Sequence, residues 1–146
     1  MTLIDRDIRA LIASGVLQNA DAARVGCIAY DLRAAHYTQP DGTRADALQL
    51  APGESAFVAC EERIYLPADM LGRVILRNSR IRSGLMLDAP VYQPGHKTRV
   101  FFRITNMSGR PIQLEKGAVL ASIMFERLER APAQVYDGRF QNEFDL

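Results

Sequence analysis

No stretch of this chain approaches the ~20 consecutive apolar residues of a membrane span, so no transmembrane helix is expected. Neither sign of charge dominates: 18 lysines and arginines face 17 aspartates and glutamates, for a net charge of +1. That balance argues against a general nucleic-acid or membrane-surface binder, and any anion site must be local. Cysteine is scarce. Cys27 and Cys60 are lone thiols without CxxC spacing, which points to a reduced compartment and to small buried hydrophobes rather than nucleophiles. The two histidines, His36 and His96, are far apart and lack cysteine or carboxylate neighbours at metal-ligand spacing, so no metal site is expected. GxSxG and P-loop patterns are absent. The opening "MTLIDRDIRALI" is too acidic and too interrupted for a signal peptide, and a cytoplasmic location is the expectation.

What is present fits one domain spanning residues 1–146, long enough for a real core. In "LIDRDIRALIASGVL" the residues Ile4, Ile8, Leu11 and Ile12 recur at helical spacing, which predicts one helix at about Asp5 to Ser14. Asp5 is the expected N-terminal cap, Ile4 its hydrophobic staple and Gly15 the stop. After it the period changes. "CIAYDLRAAHYT", "LQLAPGESAFVACEERIYLP", "GRVILRNS", "TRVFFRITN" and "IQLEKGAVLASIMFERL" read as short strands divided by "QPDG", "APGE", "LPAD", "QPG", "MSGRP" and "EKG" turns. Such spacing predicts an all-β sandwich, jelly roll or barrel. The polar tail from about residue 132 to 146 carries Tyr136, Phe140 and Phe144, and either frays or docks on a neighbouring surface.

Polar chemistry concentrates between Arg77 and Asn106, with five arginines, one lysine and a single carboxylate, Asp88. Within it, "RNSRIR" follows an apolar strand and offers arginines, an amide and a hydroxyl for phosphate oxygens. A solvated turn is the competing reading. Glu61 and Glu62 are adjacent, so on a strand they face opposite sides and a paired-carboxylate site is not expected; a solvated edge is the simpler reading.

Several of these stretches resemble the dCTP deaminase family, in order and across essentially the whole chain. "LIDRDIRALIASGVL" looks like that family's Asp-(Arg/Lys)-Asp-Ile opening helix, and "YDLRAA" resembles its Asp-Val-Arg-Leu-Gly strand, with Ala35 for the glycine. "LAPGESAFVACEERIYLPADMLGRV" is similar to the segment running from a Pro-Gly-Glu turn to a Leu-Pro-x-Asp turn. "RNSRIRSGL" matches Arg-Ser-Ser-x-x-Arg-x-Gly-Leu, with Asn78 for the first serine. "YQPGHKTRVFFRITN" matches Ile-Asp-Pro-Gly-x-x-Gly and the strand ending in Glu-x-x-Asn, and "YDGRFQ" resembles a common family ending. The resemblance implies a dUTPase-like distorted jelly roll or β-barrel with one short N-terminal helix. It further implies a homotrimer whose sites lie between subunits and draw on the C-terminal segment.

The same resemblance implies that the family's catalytic acids are replaced. Its glutamate, which shuttles protons between water and the cytosine amino group without a metal, falls at Arg103. A guanidinium with a pKa above about 12 is no general base at neutral pH. The aspartate before Pro-Gly is Gln93, the late-strand glutamine is Ser122, and the hairpin glycine is Thr98. Two loop residues are missing before Asp88. Arg77, Asn78, Ser79 and Arg82 occupy the phosphate motif, Ala89 lies beside the base pocket, and Tyr136 and Gln141 belong to the tail's nucleotide contacts. Three readings stay open. The pocket has lost catalysis but binds dCTP, dUTP, dTTP or another phosphorylated small molecule. Alternatively, deamination persists on a relocated carboxylate such as Asp88, or the trimer is a non-catalytic scaffold whose arginines make subunit salt bridges. No cofactor is expected beyond a Mg2+ accompanying a bound triphosphate.

Overall fold

The structure is a computed structural model that describes residues 1–144; the final two residues of the expected domain and tail lie outside the described residues. Helix α1 spans Asp5–Ser14 and buries Ile8 and Leu11, as the spacing requires. Gly15 ends it in the left-handed region at φ 82°, and its N–H reaches the carbonyls of Leu11 and Ile12. The cap differs from expectation. Ile4 is the N-cap, and its N–H donates to the Asp7 carboxylate at 3.1 Å. Asp5 instead accepts from the Arg6 N–H at 2.8 Å, so Asp7, one half-turn on, supplies the reach-back bond.

In chain order the strands are β1 (Leu17–Gln18), β2 (Tyr30–Asp31), β3 (Ala34–Thr38), β4 (Arg44–Ala45), β5 (Leu48–Leu50), β6 (Ser55–Tyr65), β7 (Met70–Leu76), β8 (Leu85–Asp88), β9 (Val91–Tyr92), β10 (Lys97–Asn106), β11 (Ile112–Leu114) and β12 (Ala121–Arg127). One sheet runs β4-β3-β6-β10-β8, with β1 also on β6; a second runs β2-β12-β7-β9; β5 and β11 pair separately. The named strand pairs are antiparallel. The architecture is all-β, and the expected first strand breaks at Leu32–Arg33 into β2 and β3.

Strand β10 shows how the sequence builds the core. Thr98, Val100, Phe102, Ile104 and Asn106 face inward and are buried, while Phe101, Arg103 and Thr105 alternate outward. Tyr30, Tyr37, Tyr92, Phe102 and Phe125 are the largest fully buried side chains. The three tyrosine hydroxyls have partners: Tyr30 donates to Glu62, Tyr37 to the Glu115 carbonyl and Tyr92 to the Phe101 carbonyl. Burial pushes the Tyr30 phenol up to about 12 and raises those of Tyr37 and Tyr92 as well.

Glu62 corrects the solvated-edge reading. It shares parity with Val58, Cys60 and Ile64, so it turns inward and is fully buried. Its carboxylate accepts from the Tyr30 hydroxyl at 2.9 Å, the Arg33 N–H at 3.0 Å and Arg33 Nε at 2.7 Å. That hydrogen bond to Glu62 raises the Arg33 pKa further. Cys60 is buried, but Cys27 is exposed, against the expectation for both thiols. Among the described residues no helix is long and apolar enough to cross a membrane.

Candidate functional site

Arg103 leaves the outward face of β10 between two neighbouring strands. Its Cα is paired with Phe57 of β6 on one side and with Asp88 of β8 on the other. Directly opposed residues bring their side chains within reach, and Arg103 Nη2 donates to Asp88 Oδ2 at 2.9 Å. The two side chains are 50% and 64% exposed, so this pair stands in water. An exposed pair contributes at most about 1 kcal/mol and opens easily for a ligand. Arg103 thus finds its carboxylate within its own chain.

A shallow pocket of about 230 Å³ gathers Phe57, Asp88, Ala89, Pro90, Phe101 and Arg103. Pro90 and Phe101 also line a neighbouring cavity of about 320 Å³ with Gln93, His96, Tyr136, Phe140 and Glu143. Ala89, Asp88 and Arg103 therefore share one pocket, and Gln93 and Tyr136 the next. Phe57, exposed on β6, was not singled out from the sequence; only its odd parity in β6 signalled an outward aromatic.

Within the chain, the tail packs over this region. Tyr136 donates its N–H to the Pro94 carbonyl at 2.7 Å and stacks on His96 with ring centroids 4.4 Å apart. The Gln141 side chain accepts from the Lys97 N–H at 2.6 Å and donates to the Gly95 carbonyl at 3.3 Å. Thr98, where the family has glycine, accepts the Glu143 N–H on its hydroxyl at 2.9 Å. Phe144 then packs on Phe101 and Phe57, at 4.8 and 5.7 Å between centroids. Gly95 sits beneath at φ 86°, and a Cβ there would lie 2.8 Å from Val135 Cβ. Tyr136 and Gln141 are thus engaged by the Pro-Gly hairpin, and burial raises the Glu143 pKa.

The arginine motif lies elsewhere. "RNSRIR" is not a plain turn: Asn78–Arg82 forms a short helix, α2, with Arg77 at its N-cap. Asn78, Ser79 and Arg82 are exposed. Arg77 Nη1 donates to Asp31 Oδ2 at 3.1 Å, and Ser122 Oγ donates to Asp31 Oδ1 at 2.7 Å. Asp31 therefore joins Arg77 and Ser122, a link the sequence reading missed although Asp31 stands in "YDLRAA". The helix hands over to β8 at Leu85, whereas Asp88 closes β8's far end beside Arg103. Three strand steps of ~3.3 Å separate those ends by ~10 Å. Within the chain, α2 and the Arg103 pocket are therefore separate. Among the described residues no group of three or more His, Cys, Asp or Glu side chains could hold a metal ion.

Residues 36–128, which run from within β3 to the end of β12, match the family model described as dCTP deaminase-like. This chain belongs to the dCTP deaminase-like family. It is 30% identical over 122 residues to a dCTP deaminase of Pyrococcus horikoshii, covering 80% of this chain and 78% of that one. A Shewanella frigidimarina dCTP deaminase is 32% identical over 100 residues, 67% of this chain and 52% of that one. The crystal structure of 2'-deoxycytidine 5'-triphosphate deaminase from Agrobacterium tumefaciens superposes with a TM-score of 0.73 at 21% identity, covering 86% of this chain and 48% of that chain. Native EIAV dUTPase superposes with a TM-score of 0.59 at 16% identity, covering 77% and 85%. The fold is dUTPase-like. This dCTP deaminase-like chain spans about half the length of the Shewanella and Agrobacterium proteins.

Proposed function

We propose that this dCTP deaminase-like chain is a cytoplasmic binder of deoxynucleoside triphosphates in pyrimidine nucleotide metabolism that has lost the deaminase's general base. The observation that carries this reading is the exposed Arg103–Asp88 pair at the position the family resemblance assigns to the proton-shuttling glutamate. Hydrolytic deamination needs a group that takes a proton from water and delivers it to the leaving amine. A guanidinium accepts no proton at neutral pH. Gln93, in the neighbouring cavity, is no base either.

The binding half of the reading rests on α2. Arg82 and Ser79 are exposed, while Arg77 is oriented by Asp31, so the motif offers cationic and hydroxyl donors to phosphate oxygens. A homotrimer would bring the α2 of one subunit to the Arg103 pocket of the next. The exposed Ile81 and Met86, on and just after α2, supply apolar surface for such a contact. Mg2+ would then enter only with a bound triphosphate.

One observation favours a second reading. Asp88 lines the same pocket as Arg103 and Ala89, so a carboxylate is present beside the missing glutamate. In that reading Asp88 takes the proton from water and the protein remains a dCTP deaminase. Incubation with dCTP separates the two: no dUTP is expected, and turnover abolished by Asp88→Asn would establish the second. Light scattering should give a trimer. In thermal-shift titrations dCTP, dUTP or dTTP should stabilise the protein by mass action. Arg82→Ala should weaken that binding by about 1.5–3 kcal/mol. No stabilisation by any of them would leave a scaffold whose arginines serve assembly.

A further inference from the structure

A cavity of about 200 Å³ lies on the outer side of β3, lined by His36, Arg44, Asp46, Glu61, Arg99 and Lys116. His36 is only 5% exposed, yet neither ring nitrogen has a hydrogen-bond partner among the described residues. Buried polar atoms in native folds are paired with protein, water or an ion, so an imbalance of this kind calls for an occupant. Two register shifts create the opening. Ala35 is an extra residue in β3 opposite β6, and β6 itself bulges between Ala59 and Arg63 against β10. Bulges re-aim side chains, and here they turn His36, Glu61 and Arg99 towards one space.

The charges around His36 come from every element packed there: Arg44 from β4 with Asp46 just after it, Glu61 from β6, Arg99 from β10 and Lys116 from the turn before β12. Three cations thus face two carboxylates. None of these five groups forms an ion pair among the described residues. Arg99 is held in place by donating to the Cys60 carbonyl at 2.7 Å and the Phe144 carbonyl at 3.1 Å. With liquid water taking ≈ 30 Å³ per molecule, the space accommodates a tetrahedral oxyanion with a few waters.

We propose that this cavity binds a small oxyanion of the phosphate class, with Arg44, Arg99 and Lys116 as its cationic walls and His36 as the hydrogen-bond donor on its floor. The orphaned imidazole then has an acceptor, and the surplus cations have a counter-charge. Burial, with Arg44 and Arg99 beside it, holds His36 below its usual pKa. An anion between them favours the imidazolium, so binding takes up a proton and strengthens as pH falls. The site is separate from α2 and does not depend on nucleotide binding there.

The test is proton–carbon NMR of the His36 ring, assigned against His96 with a His36→Asn variant, during titration at constant ionic strength in chloride. One arm adds inorganic phosphate and the other adds dCTP. Saturable displacement of the His36 resonance is expected in wild type and in Arg82→Ala, tighter at about pH 6 than at about pH 8. The exposed pair Arg44→Gln with Lys116→Gln should weaken it at least about tenfold, with an unchanged amide spectrum confirming the fold. Saturation by dCTP alone, under the same variant pattern, assigns the anion to a nucleotide phosphoryl group instead of the free ion. An unsaturable response in both arms, or equal affinity in the double variant, overturns the proposal.

Discussion

Replacing Glu62 should cost more than any other single carboxylate change, because it is fully buried beneath three donors. Removing one partner of a buried pair costs about 3–5 kcal/mol, since the other is left uncompensated. Arg33 keeps a 26% exposed side chain and can turn its guanidinium to water, which places Glu62→Ala near the lower end, about 3 kcal/mol. Glu62→Gln divides the effect. Oε1 now accepts from both the Tyr30 hydroxyl and Arg33 Nε, and an amide oxygen can keep both bonds. Oε2 accepts the Arg33 N–H, and an amide nitrogen there would set donor against donor. Losing that bond and the charge should cost about 1.5–2 kcal/mol. Urea titration at one protein concentration should show the midpoint falling in the order wild type, Gln, Ala with an unchanged slope. A loss below about 1 kcal/mol for Glu62→Ala would mean that the carboxylate is solvated and that this packing of β2 and β3 on β6 is wrong.

Thr98→Val removes the hydroxyl that accepts the Glu143 N–H while keeping the side-chain volume; amide exchange at Glu143 should accelerate with the core amides of β10 unchanged, and equal protection would contradict the docked tail. Gly95→Ala should displace the tail more severely, because the new methyl meets Val135 in a backbone region that resists a Cβ; an unaltered protease-cleavage rate in the tail would refute that contact. His36 is held below 6.5 by burial first and by Arg44 and Arg99 next. The unfolded chain therefore binds the proton more readily, and stability of the anion-free protein should fall as pH drops below about 6.5. His36→Asn should flatten that slope, and an unchanged slope would remove His36 as its source.

Parts of this fold were legible because local patterns and tertiary burial agree. Helix α1 follows from the apolar spacing of Ile8 and Leu11, and β10 from strict alternation around Val100, Phe102 and Ile104. Glu62 was readable in principle, since its parity in β6 matches Val58 and Ile64; its charge argued for solvent, and the buried partner Arg33 lies 29 residues away. Helix α2 escaped detection because five residues are too few for a period to show. The partner of Arg103 was hidden for another reason. It depends on β8, a four-residue strand read as loop, whose register alone sets Asp88 opposite Arg103. The tail's docking was equally opaque, because several of its bonds go to backbone carbonyls and amides of the Pro-Gly hairpin. Side-chain pattern carries no record of those.

The loss of the general base is tested most directly by dUTP formation from dCTP, measured side by side for wild type and Arg103→Glu. General acid–base catalysis by one well-placed group is worth about 10²–10⁴-fold, so wild type should show no turnover near an enzymatic rate. The glutamate variant should gain weak activity if the pocket of Phe57, Ala89 and Phe101 has kept its shape. Enzymatic turnover by wild type, lost in Asp88→Asn, would contradict the account and identify Asp88 as the base.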